Sequence, residues 1–233
     1  MGILYGVSVG PGDPELLTLK ALRIIRECDV IAAPDNNTAL SIVERVCDIG
    51  EKMLLKPAFP MTRDRELLKN SHIAAADELC RYLDNGENIA FICLGDISVY
   101  STFSYISELV SVRGHSVEMI PGVTSFCAAA AELKQPLALG SEPLLIIPSG
   151  SREFDLLLSV EGTKVIMKSG SAIPKLKEKL RGKTVYAVEN CGFENQKLYY
   201  SADELENCGY FTTVIVPPDS RVYNTNMNTN SSV

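Results

Sequence analysis

The sequence predicts an α/β protein of two α/β domains, the first built on a mostly parallel sheet and the second on a mixed sheet. Three observations carry this. Apolar strand-like runs alternate with helical runs through the first half of the 233 residues. Glycine-containing turns follow three of those strands directly before a helical pattern. Beyond residue 134 the rhythm changes to five short strand-like runs with only brief helical segments between them.

Residues 3–9 read as a strand that stops at Gly10-Pro11-Gly12, and Asp13-Pro14 supplies an N-cap and a first helical residue for a helix over 14–27. A strand at 30–33, a helix at 39–47 and a short strand at 53–55 follow. The segment 63–83 is a long helix with Leu67, Ile73, Ala74, Leu79 and Leu83 as its apolar face. Next come a strand at 89–94, a helix at 102–113 ended by Gly114, a strand at 117–120 and an alanine-rich helix at 125–134. The second half offers strands at 144–148, 165–168, 185–189, 197–201 and 212–216, with helices at 154–158, 174–181 and 202–206. The predicted join lies near 115–122, giving domains at 1–116 and 117–222, and the Asn- and Thr-rich stretch at 223–233 is expected to be disordered.

Composition narrows the function. A net charge of −7 and a pI near 5.0 argue against a nucleic-acid surface spread over the whole chain. No run of eighteen apolar residues occurs, so no membrane span is expected, and a cytoplasmic protein is the expectation. Seven scattered cysteines without a C-x-x-C pair read as buried thiols, and His72 and His115 alone give a catalytic triad or a zinc site little material. No metal site is expected.

Three strand-to-helix loops stand out. In Gly10-Pro11-Gly12 the main chain is open to close approach by a ligand, yet a dinucleotide fingerprint would need glycine at 15, where Glu15 stands. A tight βα connection explains the turn equally well. In Leu94-Gly95-Asp96-Ile97-Ser98-Val99-Tyr100-Ser101-Thr102, Asp96 can accept from a ribose or an ammonium group, or simply cap the turn. In Pro121-Gly122-Val123-Thr124-Ser125, the hydroxyls serve either a ligand or the following helix. Ligands of open α/β sheets bind outside the carboxyl ends of the strands, so three such loops together say more than any one.

Together, Val9-Gly10-Pro11-Gly12-Asp13-Pro14-x-Leu16-Leu17-Thr18, Asp29-Val30-Ile31, Gly95-Asp96-x-x-x-Tyr100-Ser101-Thr102 and Pro121-Gly122-Val123-Thr124-Ser125 resemble the tetrapyrrole (corrin/porphyrin) methyltransferase family, in order and spacing from residue 1 to about 216. Phe59-Pro60-Met61-Thr62, the Tyr-Ser-Thr-Phe run and the segment from Phe126 to Ala131 are most similar to members that methylate C-20 of precorrin-2 or cobalt-factor II in corrin ring (cobalamin) biosynthesis. The resemblance implies a homodimer and a crevice between two α/β domains holding S-adenosyl-L-methionine, with S-adenosyl-L-homocysteine as product. It implies cofactor contacts from Pro11, Leu94, Gly95, Asp96, Val99, Tyr100, Ser101, Thr102, Thr124 and Ser125, and more loosely from Met167, Glu189, Asn190, Cys191, Thr212 and Thr213. Other methylation positions, and a cofactor-binding paralogue with weak turnover, remain open.

One departure is visible: the family has proline after Gly-Asp, whereas Ile97 stands here and is expected to loosen the loop. Methyl transfer from an activated donor chiefly needs alignment, and Asp96 and Tyr100 are the polar groups named for removing the displaced proton. For the carboxylates of a tetrapyrrole, Lys56, Met61, Arg63, Arg65 and Lys69 are named around the loop at 57–62, although a solvated helix start balanced by Asp64 and Glu66 fits the same charges.

Overall fold

Strand β1 (Ile3–Ser8) is fully flanked, by β4 (Ile89–Cys93) on one side and β5 (Ser116–Ile120) on the other. Strands β2 (Val30–Ala32) and β3 (Met53–Leu55) extend the sheet beyond β4 to the order β3-β2-β4-β1-β5, with every pair parallel. Parallel strands need crossovers. These are supplied by α1 (Leu19–Glu27), α2 (Thr38–Glu44), α3 (Arg65–Asp84) and α4 (Phe103–Val112). Sheets covered on both faces carry continuous apolar strands, and Ile89, Ala90, Phe91 and Ile92 are all fully buried. The computed structural model describes residues 1–34, 38–60, 62, 64–219 and 221. Met61, Arg63 and the tail at 223–233 therefore lie outside the described residues.

Three local readings change. The helix expected over 14–27 is a 3-10 turn, Pro14–Leu16, followed by α1. Asp13 caps the turn by accepting from the Glu15 N–H at 2.9 Å, while Thr18 holds an extended conformation and caps α1 through the Ala21 N–H at 3.1 Å. In α3 the buried stripe is Ala75, Ala76, Leu79, Cys80 and Leu83; Ala74 is exposed and Leu67 is 50% exposed. At 100° per residue Leu67 lies on the side of the helix opposite that stripe. Finally, β5 pairs with β1, so the boundary placed between 116 and 117 moves: the chain divides into Met1–Ala128 and Ala129–Val233.

The second unit carries β6 (Leu144–Pro148), β7 (Thr163–Met167), β8 (Tyr186–Glu189), β9 (Lys197–Tyr199) and β10 (Thr212–Val216) in the order β6-β7-β10-β8-β9. Among its hydrogen-bonded pairs β6–β7 alone is parallel and the other three are antiparallel, so the sheet is mixed. Helix α5 (Ser125–Glu132) precedes this sheet, and α6 (Phe154–Ser159) and α7 (Ile173–Lys179) pack on it; the helix expected at 202–206 is a 3-10 turn, Ala202–Glu204. Among the described residues no helix is long and apolar enough to cross a membrane.

The first core leaves little slack where α4 meets the sheet. Phe103 is fully buried, 5.3 Å from Phe91 between ring centroids, and a Cβ added at Gly6 would lie 2.4 Å from its ring. Gly6→Ala is therefore expected to lose about 1–3 kcal/mol of stability through overpacking. Adding Phe103→Leu should recover part of that loss. Urea midpoints of the two variants check this, and a neutral Gly6→Ala would show that the helix can retreat from the sheet at no cost.

Candidate functional site

The carboxyl ends of β1, β4 and β5 gather three loops, and backbone hydrogen bonds join the first two. Gly10 and Gly95 exchange bonds, Gly10 N–H to Gly95 O at 3.2 Å and Gly95 N–H to Gly10 O at 2.7 Å. Both have left-handed backbones, with φ of +77° and +76°, where a side chain is strained. The two glycines therefore act as one clasp.

Ser8, the last residue of β1, fastens the third loop. Its side chain is fully buried; the hydroxyl donates to Ile120 O at 2.8 Å and accepts the Ile97 N–H at 2.8 Å. Asp96 completes the junction. One carboxylate oxygen accepts the Gly122 N–H at 2.7 Å, and the other accepts from the Ser98 N–H at 2.9 Å and from the Ser98 hydroxyl. Glycine is required at 122, since a Cβ there would stand 2.5 Å from the Ser8 Cβ.

This geometry revises two expectations. Burial opposes ionisation of Asp96, but the bonds from Gly122 and Ser98 outweigh it and hold the carboxyl below its ordinary value. A general base is better served by a raised value and a free lone pair, so the arrangement suits Asp96 to holding the loop. Ile97 does not loosen that loop: it is 1% exposed, packs in the first core, and gives Ser8 an N–H that proline lacks.

The remaining residues of these loops have distinct surroundings. Pro11 is buried, and Leu94 and Val99 are half-buried. Tyr100 is 44% exposed with φ of 51°, and burial pushes its phenol pKa up, so it stays protonated. Ser101 accepts the Phe103 N–H at 3.1 Å and lies 3.1 Å from the Cys93 thiol, whereas Thr102 makes no side-chain cap. Thr124 accepts the Cys127 N–H at 3.4 Å, a capping role, and Ser125 opens α5. Space remains at Gly95, where, among the described residues and apart from its chain neighbours, the nearest atom to an added Cβ would be the Ser125 backbone nitrogen, 4.0 Å away. A left-handed glycine facing a helix N-terminus leaves room and donors for a polar ligand.

In the second unit Glu189 repeats the device. Its carboxylate accepts the Gly209 N–H at 2.6 Å and the Tyr199 hydroxyl at 2.8 Å, with the Lys197 ammonium at 3.7 Å. Burial raises its pKa, but the bonds from Gly209 and Tyr199 and the Lys197 charge lower it more. Thr212 donates to Gly209 O at 2.8 Å, and buried Thr213 pairs with Val188. Asn190 has φ of 52° and donates its N–H to Phe211 O at 3.0 Å, while Met167 ends β7 half-buried. Burial raises the Cys191 thiol to about 12, so it is not a nucleophile.

Lys56, Arg65 and Lys69 are exposed, and no ion pair engages them among the described residues. Asp64, set against them as a balancing charge, instead caps α3 through the Glu66 and Leu67 N–H groups. Among the described residues no group of three His, Cys, Asp or Glu side chains could hold a metal ion. Sequence reasoning passed over Ser8. The available signal was a lone serine inside an otherwise apolar strand.

Two outcomes follow from the junction. Ile97→Pro removes the N–H bonded to Ser8 and the buried side chain, and is expected to lose about 2–4 kcal/mol by urea denaturation. A gain in stability would mean that ring stiffness outweighs the bond. For Asp96 the lowered folded-state pKa adds stability above the ordinary carboxylate value, and this is lost as pH falls through the folded-state value. The stability gap between the parent chain and Asp96→Asn should be constant near neutrality and shrink between about pH 5 and pH 2. A gap independent of pH would assign no part to the charge.

Residues 3–206 match the family model for tetrapyrrole (corrin/porphyrin) methylases. The chain is 35% identical over 203 residues to the "Probable cobalt-precorrin-2 C(20)-methyltransferase" of Methanocaldococcus jannaschii, covering 84% of this chain and 85% of that protein. It is 28% identical over 239 residues to the precorrin-2 C(20)-methyltransferase of a Sinorhizobium species, covering 93% and 96%. Its fold is similar to a uroporphyrin-III C-methyltransferase of Thermus thermophilus solved with S-adenosylhomocysteine, at a TM-score of 0.73, 20% identity, and coverage of 93% and 92%. With strand-end loops clasped in its first unit, a mixed sheet in its second, and a family match across most of its length, this chain belongs to the tetrapyrrole methylases.

Proposed function

We propose that this chain transfers the methyl group of S-adenosyl-L-methionine to C-20 of precorrin-2 or of its cobalt-bearing counterpart, cobalt-factor II, in corrin ring biosynthesis, releasing S-adenosyl-L-homocysteine and, to solvent, the proton displaced from C-20. The observation that carries this reading is the 35% identity, across 84% of the chain, to a relative named for the C-20 position. A cytoplasmic homodimer is part of the same reading, on the strength of the family resemblance.

The open space at Gly95 beside the Ser125 N–H fits a polar cofactor that is held by main-chain groups. Pro11, Leu94, Gly95, Val99 to Thr102, Thr124 and Ser125 would hold it in the first unit, and Met167, Asn190, Cys191 and Thr213 in the second. The cofactor brings a methyl already activated on a positively charged sulfur. The chain's task is then alignment: rigid loops hold the donor in line with a carbon nucleophile and exclude water, which accounts for a large share of such rate enhancements. Asp96 and Glu189 act as positioning residues.

The test supplies precorrin-2 or cobalt-factor II with a cofactor labelled with carbon-13 in its methyl group. One labelled methyl is expected on the product, and NMR should place it at C-20. A methyl elsewhere on the ring would assign the chain to another position, and cofactor binding without transfer would reduce it to a binding protein.

A further inference from the structure

Helix α3 is longer than the sheet it covers. Its 20 residues span about 30 Å, against about 17 Å for the five residues of β4. The carboxyl end of the helix is tied to the start of β1, where the Gly2 N–H donates to Leu83 O at 2.9 Å. The surplus of about two turns therefore projects past the other edge of the sheet, where the loops of Gly10, Gly95 and Gly122 gather.

The stripe of α3 that faces the sheet is apolar at Ala76, Leu79 and Leu83. Followed toward the amino end at three- and four-residue steps, the same stripe becomes His72, Lys69 and Arg65. Its first two turns thus direct two exposed cations and an imidazole over the strand ends. His72 is stacked on Tyr105 of α4, with centroids 5.0 Å apart and planes 10° from parallel. Behind it Phe59 lies 5.5 Å away and itself contacts Phe91 of the core at 6.4 Å. Burial lowers the His72 pKa, which favours the neutral ring. Tyr105, the outermost ring, is 59% exposed.

A ring ladder that climbs from a rigid core to solvent, next to two cations on an acidic protein, matches a large flat molecule with a carboxylated rim. We propose that the His72–Tyr105 stack is a specificity wall for the tetrapyrrole, resting against its macrocycle while Arg65 and Lys69 engage its carboxylates. Stacking on a fixed aromatic face favours a planar conjugated ligand, and the cations favour its acidic rim over a neutral ring. This inference rests on the proposed methyl transfer to a tetrapyrrole and assigns one surface of the first unit to acceptor choice.

The experiment measures methyl transfer to precorrin-2 and, separately, the Kd for S-adenosylhomocysteine. Tyr105→Ala and Lys69→Glu should each raise the KM for precorrin-2 about tenfold and leave the cofactor Kd within about twofold. Tyr105→Phe should keep the parent KM, because the ring remains. Both Tyr105 and Lys69 are exposed, so folding is not at stake; Leu67→Ala, on the opposite side of the helix, should change neither constant. An unchanged KM in Tyr105→Ala with transfer intact would overturn this inference and leave the function standing. No transfer by the unaltered chain to either precorrin-2 or cobalt-factor II would instead overturn the function.

Discussion

One buried hydroxyl sets the geometry at the edge of the first sheet. Ser8 is the last residue of a central strand, and its Oγ bonds at once to the loop after β4 and to the end of β5. A single hydrogen bond contributes only about 1 kcal/mol net, but leaving a buried partner unsatisfied costs about 1–3 kcal/mol. Removing Ser8 would strand two backbone groups together. The asymmetry explains why the loops hold one arrangement: alternatives break several buried bonds at once. Gly122 is a consequence of the same closeness, since a side chain there would collide with Ser8, whereas Gly10 and Gly95 serve left-handed backbone.

The second unit answers the same problem with a carboxylate alone. Glu189 ends a strand and gathers Gly209, Tyr199 and Lys197, much as Asp96 gathers Gly122 and Ser98. A buried charge is costly unless its lone pairs are matched, and in both cases donors more than offset burial. The two acids are therefore tuned away from proton transfer and toward holding backbone still. That division of labour suits a reaction whose electrophile arrives ready made. The chain then has to aim it.

Much of this was legible in the residues. Strands at 53–55, 144–148 and 212–216 coincide with their predicted bounds because apolar runs bracketed by turn residues leave few alternatives. The strand-to-helix turns at Gly10, Gly95 and Gly122 also stood out, because glycine at a strand end is a local signal. What sequence could not yield was nonlocal. Ser8 meets partners 89 and 112 residues away, and nothing near it in the chain announces them. Ile97 was misjudged for the same reason: proline and isoleucine were compared as local stiffeners, whereas the contact that matters reaches across to β1. Leu67 differs in kind: an apolar residue in a helix is expected to face inward, but its position lies on the side of α3 opposite the buried stripe.

The long reach of the Ser8 bonds also bears on how the chain assembles. Contacts separated by so many residues form only after β1, β4 and β5 have docked, because loop closure must precede them. The shape of the strand-end loops thus depends on strands far apart in the chain and not on their own helices alone. A partly assembled sheet would carry every residue named above and still present no ordered pocket. Order at these loops therefore reports that β1, β4 and β5 are all in place.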